Sequence, residues 1–205
     1  MPLYGGSSQE GLQVVDVRFD LFPAIDVLIP AFLLNVVIAC LVNFFERHIC
    51  RWRGSVGGIV DAPIERVWSM VSEAGRLPEW MPMVETCTHL QGVEGVSGYV
   101  RLVSGFMFPQ EDGDRSWIKE RLVSMDPLSF SFVYRMEASN VGLDGSVNSL
   151  KLIDYGDGST LVDWSFEISP VEGVSEEGLI DYLGFLYKSC IKKIASAIQV
   201  SSENV

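Results

Sequence analysis

Two charged residues stand at positions where their neighbours are apolar. The stretches GYVRLVSGFMFP (98–109) and SWIKERLVSMD (116–126) both have the character of β-strands, in which alternate side chains face opposite sides. In the second, Ser116, Ile118, Glu120 and Leu122 share one face, and Trp117, Lys119, Arg121 and Val123 share the other. Lys119 and Arg121 mark the solvent side, so Glu120 is directed inward. A lone carboxylate in an apolar interior is destabilised in its charged form unless a cation sits beside it. Arg101, one strand earlier, is the natural cation, and if it shares the face of Glu120 it is flanked by Tyr99 and Val103. Such a pair could orient a polar ligand head through Arg101 and move a proton through Glu120, as in an isomerase or cyclase. It could equally bind a ligand without chemistry, or hold strand register.

Other residues could complete a ligand site around that pair. Tyr99, Phe132, Tyr134 and Trp164 fall in apolar strand patterns and would line a cavity, since such pockets are walled mainly by apolar and aromatic side chains. Phe106, Met107 and Phe108 are consecutive in a loop between strands, a pattern that suits a lid or contact site. Tyr182, Phe185 and Leu186 lie on or near the buried stripe of the last helix.

The elements that must position these residues are well marked. WRGSVGGIV (52–60) is a first strand. Asp61 is placed to cap a helix with Pro63 in its early turn and Val67, Trp68 and Val71 as its apolar stripe. Gly75, Pro78 and Pro82 break that helix, and a second short helix or turn falls near LPEWMP. Five strands follow at about 84–90, 98–105, 115–124, 129–138 and 146–155, and the turn YGDGS delivers a last one, TLVDWSFEIS (160–169). Ser175 can cap a long final helix with Glu176 and Glu177 in its first turn, which complements the helix dipole. Leu179, Leu183, Leu186, Cys190, Ile194 and Ile198 recur along it at helical spacing. The fold class expected is α+β, an antiparallel sheet curved around the C-terminal helix.

Composition narrows the function. Of 205 residues 48% are hydrophobic and 20% charged, enough apolar material for a sizeable core. The net charge of −12 argues against electrostatic capture of nucleic acid. Cys40, Cys50, Cys87 and Cys190 match no zinc spacing, and only His48 and His89 could assist them, so no metal site is expected. There is no Gly-rich phosphate loop and no Ser-His-Asp context, and no cofactor is expected.

The N-terminal region has a different character. Residues 1–26 contain Gly and Ser and are expected to be loose, and residues 27–46 to form an apolar helix. Within it, 27–45 read VLIPAFLLNVVIACLVNFF without a charge, a length close to the ~30 Å hydrocarbon thickness of a bilayer. Arg47, Arg51 and Arg53 follow, while only Arg18 precedes. The expectation is a membrane anchor that leaves a domain at 52–200 in the cytosol, with the membrane as a partner beside a small apolar ligand.

Trp52 and Gly54, Pro63 with Trp68, VRLVSGFMFP, WIKERLVSMD and DWSFEISPVEGVSEEGLIDYL together resemble the START-like, birch-pollen-allergen-like helix-grip superfamily. This includes plant polyketide cyclase/dehydrase and lipid-transport proteins, and the nearest likeness is to lachrymatory factor synthase-like proteins. The resemblance runs over about residues 52–198. It implies a cavity between sheet and long helix for a small, mostly apolar ligand. In the synthase-like branch it also implies a catalytic arginine and glutamate at Arg101 and Glu120. Where that branch has an active-site tyrosine, this chain reads DGSVNSL, with Ser146 at the matching position. The abscisic acid receptors are similar too, with Ser104 and Gly105 opening a gate-like loop. Their carboxylate-binding lysine falls at Met81, and their latch is absent from SNVGLDG (139–145). Two functions stay open: a carrier or sensor of a small lipophilic metabolite, and a cofactor-free proton-transfer enzyme.

Overall fold

Every second side chain of the last strand, β7 (Ser159–Ile168), is buried, Val162, Trp164, Phe166 and Ile168 among them. This is the alternation of a sheet with one covered face. The computed structural model describes residues 51–110 and 113–203. In them the chain forms β1 (Trp52–Val60), α1 (Ile64–Val71), a 3-10 turn (Ala74–Arg76), α2 (Leu77–Trp80), β2 (Val84–Gln91) and β3 (Val100–Gly105). Then come β4 (Ser116–Asp126), β5 (Ser131–Ser139), β6 (Val147–Gly156), β7 and the 28-residue α3 (Glu176–Glu203).

The seven strands make one antiparallel sheet in the order β1-β7-β6-β5-β4-β3-β2. From β2 to β7 each strand pairs with the next, whereas β1 pairs with β7. The sheet curves around α3, the helix-grip arrangement. The α3 stripe is as its spacing predicts: Leu179, Leu183, Leu186, Cys190, Ile194 and Ile198 are all buried, and Tyr187 and Ile191 join them. Ser175 caps the helix, its hydroxyl accepting the Gly178 N–H at 3.1 Å. Close approach of α3 to β1 depends on Gly58, where a Cβ would stand 2.8 Å from the Ile191 side chain.

Two expectations are corrected. The first turn of α1 has Pro63, not Asp61, at its N-cap, and no side chain bonds there; the Pro63 carbonyl instead accepts the N–H groups of Arg66 and Val67 at 3.0 and 3.2 Å. The second correction concerns the membrane. No helix among the described residues is long and apolar enough to cross one. The anchor, the membrane as partner and a membrane-tethered location are therefore not carried further. Residues 27–45, on which they rested, lie outside the described residues, as do the loose segment and apolar helix expected at 1–46.

Candidate functional site

The site begins with the pairing of β3 and β4. Register places Arg101 directly opposite Glu120, and residues opposite each other on antiparallel strands share a face. Arg101 Nε donates to Glu120 Oε2 at 2.8 Å, with both residues buried at 7% and 8% exposure. On the other face of β4, Lys119 and Arg121 bond Glu137 of β5, so the strand's inner and outer charges are separately paired. A register shift falls between Lys119 and Glu120 where β4 meets β5, a bulge of the kind that re-aims a side chain.

Tyr134 on β5 completes the polar cluster. The Arg101 guanidinium carbon lies 3.9 Å from the centre of its ring, within cation–π range. Burial pushes the Tyr134 phenol up to about 12, with Arg101 opposing the shift. Burial alone would lower the Arg101 pKa, but Glu120, Tyr134 and Cys87 outweigh it and hold the guanidinium above its ordinary value. Burial likewise pushes the Cys87 thiol up.

Arg101, Glu120 and Tyr134 open onto a cavity of about 40 Å³ between the sheet, α2 and α3. Among the described residues, Arg101 and Glu120 are the only charged ones in its wall; the rest is largely aromatic and aliphatic. Opposite them, Trp164 of β7 stacks on Tyr187 of α3, their rings 4.3 Å apart and nearly parallel. The Tyr187 hydroxyl donates to Asn148 Oδ1 at 2.8 Å. Trp80 of α2 lies 5.9 Å from Trp164, ring centre to ring centre.

Of the side chains singled out in the sequence, Arg101, Glu120, Met107, Phe108, Phe132, Tyr134, Trp164 and Leu186 lie in the cavity wall. The other four stand outside it. Tyr99 is buried and stacks on His89 at 5.4 Å. Phe106 is 52% exposed with Arg115 over its ring. Phe185 is 59% exposed, on the side of α3 opposite its buried stripe. Tyr182 bears on the loop after β3: its hydroxyl donates to the Met107 carbonyl, and its ring lies 5.5 Å from that of Phe108. That loop is also tied down by Phe108 N–H to Ser116 Oγ at 3.1 Å and Phe106 N–H to the Met83 carbonyl at 2.8 Å. At its root, a Cβ on Gly105 would sit 2.1 Å from the Met83 carbonyl oxygen, so only glycine lets β2 and β3 meet there. Ser146 is fully buried, its hydroxyl unbonded among the described residues, and it is not part of the wall.

The sequence reading missed Trp80, Met81, Asn148 and Tyr187. Tyr187 was recoverable, since it lies four residues beyond Leu183 on the same helical face. Asn148 was recoverable from strand alternation, two residues before the buried Leu150. Trp80 and Met81 come from a single-turn helix whose direction no periodicity reports.

Solved structures share this architecture at low identity. Protein XoxI from Bacillus cereus is 21% identical with a TM-score of 0.60, over 72% of this chain and 95% of that one. A START superfamily protein from Mycobacterium smegmatis is 15% identical with a TM-score of 0.61, over 72% and 97%. Ara h 8.0201 is 16% identical with a TM-score of 0.59, over 74% and 99%. At such identities the likeness speaks for the fold alone. A sequence model described as polyketide cyclase / dehydrase and lipid transport matches residues 51–199. That span takes in the whole sheet and nearly all of α3, and the chain belongs to the polyketide cyclase/dehydrase and lipid transport family.

Proposed function

We propose that the protein binds a small lipophilic metabolite between the sheet and α3, with Arg101 and Glu120 meeting the polar part of the ligand. The observation that carries this reading is an ion pair placed in the wall of an otherwise uncharged cavity, where a purely structural pair would be sealed behind packed side chains. Family membership supports it, because lipid transport is one of the activities the family is described by. A volume of about 40 Å³ holds only two or three waters. A ligand therefore enters by moving wall side chains, and Met107 and Phe108 belong to the loop after β3 rather than to a strand or helix.

The experiment is native mass spectrometry of the full chain purified from a eukaryotic host, followed by extraction of the retained molecule. A bound apolar compound in sub-stoichiometric or greater amount is the expected result. Protein that is empty, and that takes up no fluorescence from N-phenyl-1-naphthylamine, would refute ligand binding.

A second reading is favoured by the exposure of the Glu120 carboxylate to the cavity: a cofactor-free isomerase or cyclase of the lachrymatory factor synthase type. Here Arg101 orients the substrate and Glu120 carries the proton between two of its atoms. Ser146 in place of a wall tyrosine counts against that specific chemistry. Incubating the extracted compound with wild type and with Glu120→Gln separates the two readings. Conversion by the wild type alone supports the enzyme, and an unchanged compound in both supports the carrier.

A further inference from the structure

Two hydrogen-bond donors in the cavity wall have no acceptor. Nε1 of Trp80 and Nε1 of Trp164 are buried and make no hydrogen bond among the described residues, and the two residues are 2% and 4% exposed. An indole N–H can only donate, and buried donors in native proteins are almost always paired. Two other pairs of polar groups in the wall are engaged with each other. Arg101 bonds Glu120, and Tyr187 bonds Asn148. The two Trp residues come from α2 and β7, far apart in sequence, yet their rings lie side by side, 5.9 Å between centres, in the wall of one cavity.

Charge adds a second constraint. Arg101 and Glu120 cancel within a single bonded pair, and among the described residues no other carboxylate or basic side chain reaches the wall. An anionic ligand would share the single Arg101 cation with Glu120, leaving one buried negative charge uncompensated.

We infer that the ligand is an uncharged molecule bearing an acceptor oxygen, such as a ketone, ester or ether, which takes the indole N–H of Trp80 or Trp164. This rests on the ligand-binding reading above and specifies its substrate class: a neutral oxygenated compound in preference to a free fatty acid or a plain hydrocarbon. The apolar remainder of the ligand lies against Leu183, Leu186 and Phe132.

The test is equilibrium dialysis of the full chain against three compounds of one size: 2-acetylnaphthalene, 2-ethylnaphthalene and 2-naphthoate. The neutral ketone should bind more tightly than either of the others, on the order of fivefold, as one buried hydrogen bond provides. Trp80→Phe and Trp164→Phe, assayed separately, should reduce the ratio of ketone to hydrocarbon affinity in at least one variant. Because the ratio is taken within each variant, partial loss of folded protein does not alter it. Tightest binding of 2-naphthoate would overturn the inference, and so would a ketone preference that survives both substitutions. Retention of none of the three compounds would overturn the ligand-binding reading and this inference with it. Equal retention of all three would overturn only the inference.

Discussion

Arg101 and Glu120 compensate each other's buried charge inside the sheet, bonded at 2.8 Å. Glu120→Gln leaves the guanidinium without its counter-ion, and loss of one partner of a buried pair costs about 3 kcal/mol. Replacing both, as in Arg101→Leu with Glu120→Leu, removes two desolvation penalties together and is expected to cost much less than the two single changes combined. Urea denaturation of the four proteins measures this; additive losses would show that the pair is not coupled. At this scale the sequence was informative about Glu120, because Lys119 and Arg121 flank it and define the wet side. It was silent on Arg101, whose neighbours Val100 and Leu102 are both apolar. Only the register of β3 on β4, a long-range property, fixes which way the guanidinium points.

The central turns of α3 carry groups that hold their protons unusually tightly. Burial pushes the Cys190 thiol up to about 12 and raises the Tyr187 phenol, and Tyr134 across the cavity is pushed up to about 12. All three keep protons in the folded state at pH values where the unfolded chain has released them. Above about pH 9 the unfolded state therefore binds fewer protons, and stability falls as pH rises toward about 12. Urea midpoints at about pH 8, 10 and 11.5 should decline in turn, and Cys190→Ala should flatten the first part of that decline. A midpoint constant to pH 11.5 would contradict the burial of these side chains. The elements themselves were legible: β1 and β7 from alternation, and α3 from a stripe in which every predicted residue is buried. Phe185 stands two residues after Leu183, on the opposite side of the helix, so the same periodicity that found the stripe excludes it from the interior. Less legible were the contributions of α2, where a four-residue helix is too short for a period to register.

At the scale of the whole fold, the loop after β3 is fastened beside the cavity. Tyr182 on α3 reaches the Met107 carbonyl, and Ser116 holds Phe108, so the loop after β3 is tied to the helix on one side and to β4 on the other. Tyr182→Phe deletes the first tie. Uptake of N-phenyl-1-naphthylamine, followed by stopped-flow fluorescence, should quicken by roughly fivefold, the worth of one hydrogen bond; an unchanged rate would mean the mouth lies elsewhere. The sheet order has a consequence in time as well as in space. Strands β2 to β7 each find their partner in the next segment to be made, so hairpins can accumulate as the chain leaves the ribosome. β1 emerges before all of them, yet its partner β7 appears about a hundred residues later. At roughly 5–20 residues per second the first strand waits on the order of 5–20 seconds with its ladder unpaired. Its glycines, Gly54, Gly57 and Gly58, make it a poor template for premature pairing during that interval. Gly58, which lets α3 settle against β1 in the finished protein, thus also helps to keep the waiting strand quiet while the protein is being made.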